Sequence, residues 1–391
     1  MLSNEALIRR PIDAPGFKRP YHEANSKPNN KPAQEILGFL ATTHTGMALW
    51  SRRNRRLTLL LLSVFTTWNL YLFLASRFGE REYDTWKADP FPEYHSASGN
   101  ASCSLFDSPI AKNVQVVLKT GAAEANNKLV GHLSTVTSCI GPSELLIFSD
   151  FEEHIKGYHV HDALSLLPQT YRAQNPDFKV YETQKEYRRA NLASMSLTDG
   201  WKLDKYKFLP MLQSTWKMQS NKKWFLFIEV DTFVAWDNLF FWLSHLDPDK
   251  PLYLGSPVWP KGKPVFAHGG TGFVLSHAAM DKLDELASDL VYSSPQFNVD
   301  MRKECCGDEV LAQVLKRKGI TLHGYWPLFN GEKPSTVPFG KEHWCEPVIT
   351  MHHMGIEDTS EFWQWLQNRT VTENVSLAFL IPAYMGWQIL L

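Results

Sequence analysis

Two carboxylates with one residue between them, Glu229-Val230-Asp231, follow directly on the apolar run Trp224-Phe225-Leu226-Phe227-Ile228. A buried strand that ends this way delivers its acids to the rim of a sheet. There the oxygens can hold a hard divalent cation, Mg2+ or Mn2+, and bridge it to a diphosphate. The competing identity is a solvated turn, against which the apolar flank Thr232-Phe233-Val234 also counts. Asp308-Glu309 is a second acidic pair, at the start of a helical pattern, where the helix dipole alone would stabilise it by about 0.3–1 kcal/mol. His268-Gly269-Gly270-Thr271-Gly272 places three glycines within four residues. Such a run either lets backbone approach a ligand closely or makes a tight connection into the strand at Phe273. The adjacent pair His352-His353 offers imidazoles, which on their own fit a core or surface role as well as a ligand role.

Elements that could carry these groups are legible from the apolar pattern. Val114–Leu118 reads as a buried strand running into Lys119-Thr120-Gly121, after which Ala125, Leu129, Leu133 and Val136 share a helical face. Leu145–Phe148 reads as a second strand, ending in Ser149-Asp150, and Phe178–Tyr181 as a third. Trp224–Ile228 and Phe273–Leu275 are further strands, with helices over Ala278–Leu286 and Asp308–Lys318. Strands alternating with helices predict an α/β domain with a mainly parallel central sheet. In such sheets the ligand crevice lies at the carboxyl ends of the strands, and Thr120-Gly121, Asp150 and the Glu229/Asp231 pair all fall there. Trp201 to Phe208 mixes aromatic and charged residues, suiting either a diphosphate or acceptor groove or the start of an amphipathic helix. Trp259 reads as a core residue or a stacking platform, and Phe362, Trp363 and Trp365 as the packing face of a closing helix.

The chain has 391 residues, with 40 basic against 41 acidic side chains and a formal net charge of −1, which argues against a general nucleic-acid binder. Five cysteines are too few for a disulfide scaffold, and a 13% aromatic share that includes 14 tryptophans suits stacking on carbohydrate. Residues 1–56 hold ten Lys/Arg against four Asp/Glu, lack sustained periodicity and read as a disordered cytosolic tail. Leu57 to Ser76 is twenty residues without a charge behind an Arg cluster, which predicts a single transmembrane helix of type II orientation. A stem over 77–111, a domain over 112–356 and an extension over 357–391 complete the organisation. Three N-x-Ser/Thr sequons, at Asn100, Asn368 and Asn374, all lie beyond the apolar segment. In an oxidising compartment Cys103 would pair with Cys139, and Cys305 or Cys306 with Cys345. The apolar stretch Leu377–Leu391 receives no assignment.

The segment Trp224 to Val234 resembles the metal-binding D-x-D segment of glycosyltransferase family 31, of the Fringe and core 1 β1,3-galactosyltransferase kind, the fungal-type branch in particular. Further matches follow in the family's order: Leu254-Gly255-Ser256, Phe266 to Phe273, Cys305-Cys306-Gly307-Asp308-Glu309, and Trp344-Cys345 before Thr350-Met351-His352-His353. The resemblance covers roughly residues 112–356 and implies a GT-A fold, Mn2+ and a UDP-sugar donor. It assigns Asp231 to the metal, Glu229 to the ribose or a metal-bound water, and His352 to the remaining coordination with His353 as alternate. Thr120, Gly121 and Asp150 would line the uridine pocket, and the loop His268, Gly269 and Gly270 would surround the sugar. Asp308 would be the base of an inverting transfer, with Glu309 second. Two departures stand out: Glu229 replaces the commoner Asp, and Phe233 stands where Tyr is frequent. The implied activity moves galactose, or N-acetylglucosamine, in β (β1,3) linkage to a glycoprotein or glycolipid, in the Golgi and without nucleic acid. A non-catalytic lumenal folding chaperone is the alternative, and a metal-dependent hydrolase a third reading.

Overall fold

The computed structural model describes residues 59–70, 103–189, 200–284, 301–337 and 346–368. Residues 59–70 are helical and belong to a different unit from the rest. Among the described residues no helix is long and apolar enough to cross a membrane. This corrects the expected transmembrane helix over Leu57 to Ser76, since a span needs about 20 helical residues and the helix described here is shorter. The tail, most of the stem, Asn100, Asn374, Cys345 and the apolar stretch Leu377–Leu391 lie outside the described residues.

The remainder is a mixed α/β fold. Its strands are β1 Val114–Lys119, β2 Leu145–Ser149, β3 Glu153–Ile155, β4 Tyr158–Asp162, β5 Trp224–Glu229, β6 Phe233–Val234, β7 Tyr253–Gly255, β8 Pro257–Val258, β9 Phe266–Ala267, β10 Phe273–Ser276, β11 Leu322–Gly324, β12 Phe329–Asn330 and β13 Thr350–Met351. The longer helices are α1 Phe178–Arg189, α2 Phe208–Gln219, α3 Trp236–Leu243, α4 His277–Asp284, α5 Gly307–Arg317 and α6 Ile356–Asn368. Eight strands form the main sheet in the order β11-β7-β10-β5-β1-β2-β4-β3. The central pairs β5–β1, β1–β2 and β2–β4 are parallel, as alternating elements predict, whereas β10 runs antiparallel to both β5 and β7. The sheet is therefore mixed rather than mainly parallel on that side. The antiparallel β10 is fed by the glycine loop at 269–272, which brings the chain back from β9 without a crossover helix.

The central strands β1, β2, β5 and β10 are largely apolar because both faces of the sheet are covered there. Alternate side chains enter different cores. Val116, Leu118, Ile147, Leu226 and Ile228 pack with α3 and α6 on one face. Val117, Phe148, Phe225 and Phe227 pack with α1, α2 and α5 on the other. Phe178–Tyr181, expected as a strand, is the first turn of α1. Its buried residues Phe178, Tyr181 and Gln184 recur every three positions, a helical spacing that a four-residue apolar window conceals.

Part of the expected stem is structured. Cys103–Asp107 forms a 3-10 turn, and Pro109–Lys112 a helical turn whose Ala111 amide donates to the Ser108 hydroxyl. Leu105, Phe106 and Ile110 pack on the α3 side of the core. A disulfide joins Cys103 to Cys139, the pairing read from the sequence. The second expected pairing is corrected: Cys305 is joined to its neighbour Cys306. Adjacency brings these sulfurs together whatever the rest of the fold does.

Candidate active site

The carboxyl ends of β1, β2 and β5 form one rim. Register places Lys119 beside Phe148 on one side and beside Glu229 on the other. Lys119 is the residue at which β1 changes from apolar to charged, and its ammonium is buried. It contacts Asp204 Oδ2 at 2.5 Å and Glu229 Oε1 at 3.0 Å. Burial disfavours its charge, but the two carboxylates outweigh burial and hold its pKa above the ordinary lysine value. Burial pushes the Glu229 carboxyl up despite Lys119. Glu229 is thus committed to an ion pair at the end of its own strand.

Thr120, Gly121 and Asp150 meet around a second buried lysine, Lys207, just ahead of α2. Its ammonium donates to the Thr120 carbonyl at 2.9 Å and lies 3.2 Å from Asp150 Oδ1. Asp150 also accepts from the Ala122 amide at 2.9 Å, which pins the turn after β1 to the end of β2. The segment Trp201 to Phe208 contributes Asp204 and Lys207 to this network, while Trp201 itself is exposed. Trp259 is half-buried, so it is not a core tryptophan.

Asp231 sits in the turn between β5 and β6. β13 pairs antiparallel with β6, Met351 opposite Phe233 and Thr350 opposite Val234. That pairing carries His352 and His353 alongside Asp231. The backbone closes the arrangement: His353 adopts a left-handed φ of 59°, and the Met354 amide donates to the Asp231 carbonyl at 3.1 Å. A non-glycine residue in that region is uncommon and marks a position the surroundings impose. His352 Nε2 lies 3.3 Å from Asp231 Oδ1, and Lys128 lies 3.9 Å from Oδ2. Burial opposes ionisation of Asp231, yet the His352 contact and Lys128 hold its carboxyl well below the usual range.

The turn is supported from beneath. The Glu229 amide donates to the Thr232 hydroxyl, which donates in turn to the Gly270 carbonyl at 2.7 Å. Buried His132 reaches the Thr232 carbonyl through Nε2 at 3.1 Å. Burial lowers the pKa of His132 to about 4, so the ring is neutral near pH 7 and Nε2 carries its proton.

The glycine loop lies between the histidine and the second acidic pair. A Cβ on Gly270 would fall 2.2 Å from the His352 ring, and one on Gly269 would fall 2.9 Å from the Phe208 ring and 3.3 Å from Asp308 Oδ2. These two glycines let protein groups pack against bare backbone. The Gly269 amide donates to Asp308 Oδ2 at 2.8 Å, so one short loop touches both His352 and Asp308. His268 packs edge-on against His352 at 5.3 Å, and its burial, with the neighbouring histidines, lowers its pKa to about 3. Burial pushes Asp308 up to about 6, although the Gly269 and Glu309 amides act against it. Glu309 is engaged elsewhere, with Lys263 at 2.5 Å and Gln313 at 3.1 Å on the same oxygen.

Asp231, His352 and His353 each offer a ligand atom, all within 4.8 Å of one another. His352 Nδ1 is buried without a hydrogen-bond partner. A histidine with Nε2 against an ionised carboxylate and Nδ1 left without a partner, next to a second imidazole, is a donor set that fits a divalent cation such as Mn2+. The residues that sequence reasoning passed over are Lys119, Lys128, His132 and Thr232. Lys119 had a readable signal, a lone cation ending a mostly apolar strand, whereas the others are defined only by what they touch.

Residues 158–324 match the model of the Fringe-like family. That span, less than half of the chain, is similar to the family. The matched span carries Glu229, Asp231, the glycine loop, Asp308 and Glu309, and excludes Thr120, Gly121, Asp150 and His352. A stretch of 66 residues is 38% identical to the glycoprotein-N-acetylgalactosamine 3-beta-galactosyltransferase 1 of Xenopus laevis, covering 17% of this chain and 18% of that relative. The aligned stretch thus spans less than a fifth of the relative's length. The resemblance to glycosyltransferase family 31 drawn from the sequence holds at the level of the family.

Proposed function

We propose that this Fringe-like protein is an inverting, metal-dependent glycosyltransferase that moves a hexose from a UDP-sugar to a glycan acceptor with β linkage. The observation that carries the reading is the convergence of Asp231, His352 and His353 at the sheet rim, joined through Gly269 and Gly270 to Asp308. Asp231, His352 and His353 would hold Mn2+, which when bound neutralises charge on a departing diphosphate. Thr120, Gly121 and Asp150, braced by Lys207, form the wall for the nucleotide. Asp308 accepts the proton of the acceptor hydroxyl as that oxygen attacks the anomeric carbon. A carboxyl raised to about 6 suits the task, being ionised near neutrality yet basic enough to take a proton. Glu229, committed to Lys119, positions the rim rather than the metal.

Galactose is the first donor and N-acetylglucosamine the second, with β1,3 linkage and a glycoprotein or glycolipid acceptor. The name of the Xenopus relative supports galactose. The Cys103–Cys139 disulfide supports residence in an oxidising lumen, for which the Golgi is the proposed compartment.

The test is a panel of UDP-sugars offered to the purified chain with and without Mn2+, read by UDP release and thermal shift. One donor should release UDP and raise the melting temperature only with metal. Asp231→Asn should abolish both responses while leaving the metal-free melting curve in place. Silence in every well would sink the enzyme reading, and client folding activity indifferent to Asp231→Asn would replace it with the folding-chaperone alternative.

A further inference from the structure

A second group of metal-type ligands lies at the far edge of the main sheet, on the terminal hairpin β3–β4. Lys156 and Gly157 make its two-residue turn, both with left-handed φ, 53° and 84°. That turn geometry fixes the pairing of Ile155 with Tyr158 and of His154 with His159. His159 and His161 are two apart on β4 and share one face, while Val160 and Asp162 between and beyond them turn into the protein and are buried. Glu152, just before β3, reaches the same face. Glu152 Oε1 contacts His159 Nε2, and Oε2 accepts from the Asp162 amide at 2.8 Å. The carboxylate is therefore oriented by backbone, as outer partners orient metal-binding carboxylates.

The ligand atoms of Glu152, His159 and His161 all lie within 4.8 Å of one another. The His154 ring stacks on His159 at 4.7 Å, with 6° between planes, and covers one side of the group. The ring centroids of His159 and His161 are 4.1 Å apart. Protonated imidazoles this close would repel, whereas neutral imidazoles facing a carboxylate make a nitrogen–nitrogen–oxygen donor set. Two histidines and one carboxylate in an open, partly exposed site suit Zn2+ with water completing its shell.

We propose that Glu152, His159 and His161 form a zinc site, separate from the cluster at Asp231, that staples the segment following β2 to strand β4. Its structural consequence concerns Asp150. That residue lies two positions before Glu152 and anchors the turn after β1, so a bound ion would restrain the segment that carries it. The proposal stands whether or not the chain transfers sugar.

The experiment uses the full chain with Asp231→Asn and His352→Ala, so that the other cluster is silenced, freed of metal by chelation. Calorimetric titration with ZnCl2 should show one saturable equivalent, weakened at least tenfold by His159→Gln and again by His161→Gln. Co2+ in place of Zn2+ should give visible absorption bands that the same substitutions remove. His159 is half-exposed, so the metal-free melting curve of His159→Gln should overlay its parent. Glu152→Gln serves as a separate variant in which the histidines remain, and it too should weaken uptake. No saturable uptake in the silenced background, or uptake unchanged by both histidine substitutions, would overturn the proposal.

Discussion

Gly270 is defined by the space it leaves: the His352 ring occupies the position where a Cβ would be. Gly270→Ala should therefore act on the histidine. It should cost about 1–3 kcal/mol by overpacking and abolish any Mn2+-dependent rise in melting temperature, both readable in one thermal-shift series. Asp308 carries two expectations from one cause. As a base raised to about 6, it should give kcat/KM an acidic limb near that pH, and Asp308→Asn should remove the limb and reduce turnover by roughly 100-fold or more. The stability consequence has the opposite sense with pH. A carboxyl raised from 3.8 to about 6 binds its proton more tightly in the folded chain. Its contribution is full below pH 3.8 and is lost as pH rises through 6, about 3 kcal/mol in all. Unfolding free energies of wild type and Asp308→Asn, measured from pH 4 to 7, should diverge by that order, the wild type losing ground as pH rises.

Elements position these residues by pairing. Asp231 and His352 are distant in sequence and meet because β13 lies antiparallel to β6, itself only two residues long. So short a strand needs external support, and Phe233 supplies it by packing edge-on against Phe362 of α6 at 4.7 Å. Phe362→Ala should cost about 3 kcal/mol in denaturant titration and should loosen the site as well as the helix. On the other side of the rim, the parallel register of β1 and β5 sets Lys119 against Glu229. Lys119→Met leaves Glu229 without its cation and Asp204 with Lys207 in place of two. The expected loss is about 2 kcal/mol, less than for a fully buried pair because Asp204 reaches solvent. Urea unfolding of this variant checks the value, with Lys119→Arg as the charge-preserving control.

For the whole molecule, the sheet is a two-sided partition with a separate core on each face, and the site lies along its rim. The Cys103–Cys139 bridge ties the start of the described domain to the loop ahead of β2, closing a separation of 36 residues. By loop-closure entropy, Cys103→Ser should lower stability by about 3–4 kcal/mol. Reducing agent should depress the wild-type melting temperature by a comparable amount and move the variant far less, since its Cys305–Cys306 bond closes no long loop.

The sequence alone determined the strands β1, β2, β5 and β10, because a strand covered on both faces must be continuously apolar and such runs are visible without any fold. It also determined that Thr120, Asp150, Glu229 and Asp231 end those strands, since position along a strand is a local property. The likeness to the family was equally readable, and residues 158–324 match the Fringe-like model. Other features depended on contacts between distant segments. Phe178 and Tyr181 became a helix because their partners recur at helical spacing, and the expected transmembrane helix was not supported. Glu229 turned to Lys119, Glu309 to Lys263, and the glycines of 269–270 to protein side chains, none of which spacing encodes. The union of Asp231 with His352 and His353 was decided by a two-residue antiparallel pairing. Such a pairing has no sequence signal of its own, because its energy lies in the packing on either side.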